Sequence, residues 1–145
     1  MTVLLDDHLL RDWMARRDDA LTDAVAGEAV ATTNLWYARL CKSAARTTGG
    51  ALLSGWNPEH RRHLIANLVA LPDSIAVLPM RDLAWHMGAL VADHQGLSTL
   101  GAEGVAAAIA LDGRLLVSAR DDGPGIRRCC QTLGITYQAL DRPAA

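Results

Sequence analysis

The chain has 145 residues, 50% hydrophobic and 21% charged, so it is long enough for one domain with a proper core, and its composition is globular. Its formal net charge of −2 supplies no basic field for nucleic acid. Its three cysteines (Cys41, Cys129, Cys130) lack metal-type spacing, and their odd number argues against a disulfide framework.

Val3 to Leu5 reads as a short buried strand ending at Asp6-Asp7. His8 to Arg17 follows as a helix, with Leu9, Leu10, Trp13 and Met14 at helical spacing. A shorter helix covers Asp19 to Ala26, and Ala29 to Thr32 is a second strand. From Thr33 or Asn34, the residues Leu35, Trp36, Leu40 and Cys41 mark a helix that fades into Thr47-Thr48-Gly49-Gly50.

Asn57-Pro58-Glu59 is a helix start, combining an N-cap side chain, proline at the first helical position and an acid in the first turn. That helix runs to about Ala70 and stops at Leu71-Pro72. Ser74 to Leu78 is a strand, and Arg81 to His94 a helix through Leu83, Trp85, Met87, Leu90 and Val91. Glu103 opens a helix of small apolar residues ending at Leu111, which turns at Asp112-Gly113 into a strand over 115–117. After the loop Arg120 to Gly125 comes a helix to Leu133, closed by Gly134, and then a last strand at Ile135 to Tyr137. Residues 1–140 form a single domain in this reading and 141–145 a tail.

Short strands alternating with helices predict a three-layer α/β/α sandwich with a mostly parallel central sheet. Residues just after the strand ends of such a sheet converge on one edge. Asp6 and Asp7 follow the first strand, Asn34 the second, and Asp121 and Asp122 the strand at 115–117, while Glu103 opens the preceding helix. Carboxylates gathered in one pocket repel one another unless a cation neutralises them, and hard oxygen donors suit Mg²⁺ or Mn²⁺. Each acid also has a plainer role: Asp6 and Asn34 as N-caps, Glu103 as a complement to the helix dipole, Asp121 and Asp122 as turn residues.

The order of these features resembles a PIN domain, a small Mg²⁺-dependent ribonuclease fold common among bacterial toxins. Leu4-Leu5-Asp6-Asp7-His8-Leu9-Leu10 is similar to the family's opening strand, acid and apolar helix. The alanine-rich run from Glu103 to Leu111, the strand Leu115 to Ser118, and Asp121 or Asp122 resemble its later signature. The resemblance implies a metal-dependent endoribonuclease in which Asp6, Glu103 and Asp121 are catalytic and Asp6, Glu103 and Asp121 or Asp122 hold Mg²⁺ or Mn²⁺. It also implies an RNA substrate, an antitoxin protein as partner and a homodimer. The chain departs from the pattern in carrying Glu103 where the family has Asp, and neutral Asn34 as the nearest residue to the family's Glu after the second strand. A PIN-like binding or dimerisation module without catalysis is the alternative, and a phosphatase-like domain using Asp6 directly is a third.

The remaining residues carry less. No apolar run has the length of a bilayer helix, and the N-terminus lacks the basic flank and long apolar region of a signal peptide, so a cytoplasmic protein without membrane contact is expected. His60 and His63 read as a solvated helix face, and His8, close to Asp6, as a candidate proton shuttle. Trp36, Tyr37 and Trp85 read as core or interface residues, and Trp56, in a glycine-flanked loop, as a candidate for RNA stacking or for anchoring a protein partner. Arg39, Lys42 and Arg46 share a helix face suited either to a phosphate backbone or to solvent.

Overall fold

Five short strands form one parallel sheet in the computed structural model, which describes residues 1–15, 18–46 and 48–141. The strands are β1 (Thr2–Leu5), β2 (Ala29–Thr32), β3 (Ile75–Val77), β4 (Arg114–Ser118) and β5 (Tyr137–Leu140). They lie in the order β3-β2-β1-β4-β5, and every neighbouring pair is parallel. Parallel neighbours need crossover connections, and helices supply all of them. Helices α1 (Asp7–Ala15) and α2 (Asp19–Val25) join β1 to β2. Helices α3 (Asn34–Ala45), α4 (Gly50–Leu53) and α5 (Pro58–Val69) lead to β3, α6 (Met80–Asp93) and α7 (Thr99–Leu111) to β4, and α8 (Pro124–Leu133) to β5.

The chain builds the sheet outward from β1 to β3 and then returns to the other side of β1. The crevice beyond the carboxyl ends of β1 and β4 is therefore the topological switch point, where open α/β sheets place their sites. Asp6 follows β1, and Asp121 lies in the turn after β4.

Alternation along β1 sorts its side chains between two cores. Leu4 packs with Leu83, Met87, Val105 and Cys129 from α6, α7 and α8. Val3 and Leu5 pack with Leu9, Leu10, Leu21, Leu40 and Leu64 from α1, α2, α3 and α5. The result is the expected three layers with both faces of the sheet covered, which is why the strands read as continuous apolar runs. Cys129 and Cys130 are both buried, and burial pushes the Cys130 thiol up to about 12.

Several boundaries differ from the sequence reading, each for a local reason. Helix α7 begins a turn earlier than expected, because Ser98 Oγ accepts the Gly101 N–H as an N-cap, which leaves Glu103 inside the helix rather than at its entrance. Thr33, not Asn34, caps α3, its Oγ1 accepting from the Trp36 N–H. The last strand is Tyr137–Leu140 rather than 135–137, because the Ile135 N–H bonds back to Cys130 O and closes α8 after left-handed Gly134. Helix α4, which the sequence reading leaves unassigned, forms where Leu52 and Leu53 are buried. The expected end of α1 at Arg17, the step at Thr47 and the tail after Asp141 lie outside the described residues. Among the described residues no helix is long and apolar enough to cross a membrane.

Candidate functional site

Asp6 stands at the end of β1, fully buried, and every contact it makes holds two elements together. Its Oδ1 accepts the Leu9 N–H at 2.9 Å and so caps α1. Its Oδ2 accepts both the N–H and the hydroxyl of Ser118 at the end of β4, at 2.8 and 2.5 Å. Burial, and next the neighbouring Asp121 carboxyl, raise its pKa to about 8, so Asp6 keeps its proton at neutral pH. A buried acid of this kind with all its oxygens in use is not presented for nucleophilic attack, which removes the support for the phosphatase-like reading.

Asp7 is also fully buried, and its charge is answered by Arg39 of α3. Arg39 Nε donates to Asp7 Oδ2 and Nη2 donates to Asp7 Oδ1 at 2.9 Å. The same Nη2 donates to both oxygens of Asp121, at 2.8 and 2.6 Å. One guanidinium thus bridges the acid after β1 and the acid after β4, and the hydrogen bonds to Asp7 in turn hold the Arg39 pKa well above its ordinary value. Ligand-type oxygens of Asp6, Asp7 and Asp121 lie within 4.8 Å of one another.

The other expected site residues stand elsewhere. Glu103 is fully buried, and its carboxylate accepts the N–H groups of Asn34 and Leu35 and the Asn34 side-chain amide, so it holds the start of α3. Asp122 points away from the cluster, accepting from Arg127 and from the Tyr137 hydroxyl at 2.6 Å each. His8 is half-buried, with Arg120 Nη1 3.5 Å from its Nε2, and burial lowers its pKa from the ordinary imidazole value. Trp56 is partly buried, with the Arg11 guanidinium 5.5 Å from its ring centroid, so it is not a free stacking platform. Trp85 is 91% exposed and is no core residue.

The sequence reading missed Asp7 and Arg39 as members of the site. The sequence places Arg39 on a helix face suited to solvent or a phosphate backbone, yet it lies three residues after Trp36 and one before Leu40, both fully buried. That spacing puts position 39 at the border of the inward face of α3. It is the signal that locates Arg39.

No family profile matches the chain, and no curated protein matches it. Among solved structures, the crystal structure of VapBC2 from Rickettsia felis, bound to a DNA fragment from its promoter, contains a similar chain. The similarity covers 97% of this chain and all of that one, with a TM-score of 0.61 at 13% identity. The fold is that of a PIN domain.

The PIN resemblance implies a divalent ion among the acids, and the donor set here does not fit a resident one. Both oxygens of Asp7 and both of Asp121 accept from Arg39, and both of Asp6 accept from Leu9 or Ser118. What excludes a resident Mg²⁺ is the Arg39 guanidinium itself, which stands bonded between Asp7 and Asp121 where the cation would be held. A divalent ion about 4 Å from the guanidinium would also be repelled by about 8 kcal/mol at an effective dielectric of about 20. Asn34, the nearest residue to the PIN pattern's acid after the second strand, bonds Glu103 and Leu78 O rather than joining the cluster, and the charge that α3 brings to the cluster is the cation Arg39.

Proposed function

We propose that this PIN-like domain acts by binding a protein partner, as one half of a toxin–antitoxin pair, rather than by hydrolysing RNA with a resident Mg²⁺ ion. The observation that carries this reading is the Arg39 guanidinium bonded to Asp7 and Asp121 at once. The Rickettsia felis neighbour, a VapBC assembly, supports an antitoxin as the partner. Exposed Ala84, Trp85, Gly88 and Val91 share one face of α6, an apolar surface of the kind protein interfaces bury. A second copy of the chain is the other partner this surface accommodates.

A Mg²⁺- or Mn²⁺-dependent ribonuclease is the second reading, and the grouping of Asp6, Asp7 and Asp121 within 4.8 Å favours it. That reading requires Arg39 to leave the cluster before any ion enters. Incubating the purified chain with RNA and millimolar Mg²⁺ or Mn²⁺, beside Asp6→Asn, separates the two. Equal background in both proteins is the expected result. Metal-dependent cleavage that disappears in Asp6→Asn would overturn the binding reading in favour of the nuclease.

A further inference from the structure

We infer that Arg39 is a tethered counter-ion standing in the place of a divalent cation, and that it alone keeps such an ion out of the Asp6–Asp7–Asp121 cluster. The inference rests on the reading just given and assigns the control of that site to one side chain.

Two carboxylates brought close together in a buried crevice need a positive charge between them, because a buried charge left without a partner is strongly destabilising. Asp7 is fully buried, and the Asp121 side chain is only 9% exposed. The planar guanidinium fork is suited to bridging two carboxylates, which an ammonium group is not. Arg39 reaches the crevice from α3, whose register is fixed by fully buried Trp36 and Leu40 on either side of it. Its side chain is 31% exposed, so the cluster meets solvent on the Arg39 side and not through the core. A group tethered in this way acts at an effective concentration of about millimolar or more, enough to compete with a free divalent ion of modest affinity.

Removing the guanidinium leaves Asp7 and Asp121 facing each other with no cation, beside Asp6. Arg39→Gln removes the positive charge, and Arg39→Glu reverses it.

The test is a titration with Mn²⁺ alone, by calorimetry and by the electron paramagnetic resonance of the free ion, on wild type, Arg39→Gln and Arg39→Glu. The wild type is expected to give no binding up to millimolar Mn²⁺. Arg39→Gln is expected to bind, and Arg39→Glu to bind at least about tenfold more tightly. Where a variant folds only with metal, its Tm rises with Mn²⁺ concentration and reports the same binding. Variants that show neither binding nor a rise in Tm overturn the inference and leave the protein-binding reading standing. Wild-type binding below millimolar Mn²⁺ overturns that reading itself. Adding Asp121→Asn to Arg39→Glu is expected to abolish binding; binding that survives places the ion elsewhere and overturns the inference.

Discussion

Glu103 on α7 accepts hydrogen bonds from the backbone N–H groups of Asn34 at 3.0 Å and Leu35 at 2.9 Å, the first two residues of α3. A carboxylate from one helix thus complements the positive end of another. The Asn34 side-chain amide adds a bond to Glu103 at 2.7 Å and another to Leu78 O at 2.7 Å, just beyond β3. One buried charge therefore ties α3, α7 and the end of β3 together, and α3 is the element that delivers Arg39.

Removing that tie is expected to cost stability. Glu103→Ala strands three donors and leaves a cavity, a loss of about 3–5 kcal/mol. Glu103→Gln keeps the shape but turns one oxygen into a donor facing N–H groups, a loss of about 1–3 kcal/mol. Urea unfolding should show a lower midpoint with an unchanged slope. A loss below about 1 kcal/mol for Glu103→Ala would remove the capping role and return Glu103 to the list of free acids.

The raised pKa of Asp6 makes a signed prediction for pH. The unfolded chain releases this proton near the ordinary carboxyl value of 3.8, and the folded chain near 8. Between those values the folded state holds more protons, so stability falls as pH rises and levels off above about 8. On these values the wild type is expected to lose about 4 kcal/mol between pH 5 and 8, on the order of 10 °C in Tm. Asp6→Asn has no proton to lose at this position, so its Tm profile over the same range should be flatter. Parallel profiles for the two proteins would show that Asp6 is ionised in the fold.

The layers were legible in the sequence because their causes are local. Alternating strands and helices, the Asn57-Pro58-Glu59 start and the Gly134 stop each reveal themselves within a few residues. The convergence of Asp6 and Asp121 followed from strand order, a general property of open parallel sheets. What could not be read was how the charges pair. Arg39 meets Asp7 and Asp121 across 32 and 82 residues of sequence, and Glu103 meets Asn34 across 69. Periodicity gives the side of a helix but not which long side chain turns inward to answer a buried acid. The α7 boundary failed for a different reason: Ser98 outcompeted Glu103 as the start signal, and a helix of small apolar residues has no amphipathic edge to mark its first turn.

Asp122 tests whether the neighbouring acid is independent of the cluster. Its carboxyl is held below the ordinary range by the Tyr137 hydroxyl first and by Arg127, while burial and then Asp122 push the Tyr137 phenol up. Asp122→Asn should lower the Tyr137 pKa, read by ultraviolet absorbance titration, and move Tm by no more than about 3 °C. Metal binding by Arg39→Glu should survive the change. Loss of that binding would place Asp122 in the cluster.

Gly104 is the position where close packing allows no side chain. A Cβ there would lie 2.7 Å from Trp36 Cη2 and 3.1 Å from Cζ3, at the end of a fully buried ring. Alanine at a helical position gains about 1 kcal/mol over glycine, but overpacking a core costs about 1–3 kcal/mol. Gly104→Ala is therefore expected to destabilise, lowering Tm by a few degrees. Trp36→Phe shortens the ring on that side and gives up no hydrogen bond, because Trp36 Nε1 has no partner among the described residues. In that background Gly104→Ala should become neutral or stabilising, a coupling of about 1–2 kcal/mol in a double-mutant cycle. Additive effects in the cycle would mean that Gly104 is required by the backbone of α7 and not by the Trp36 ring.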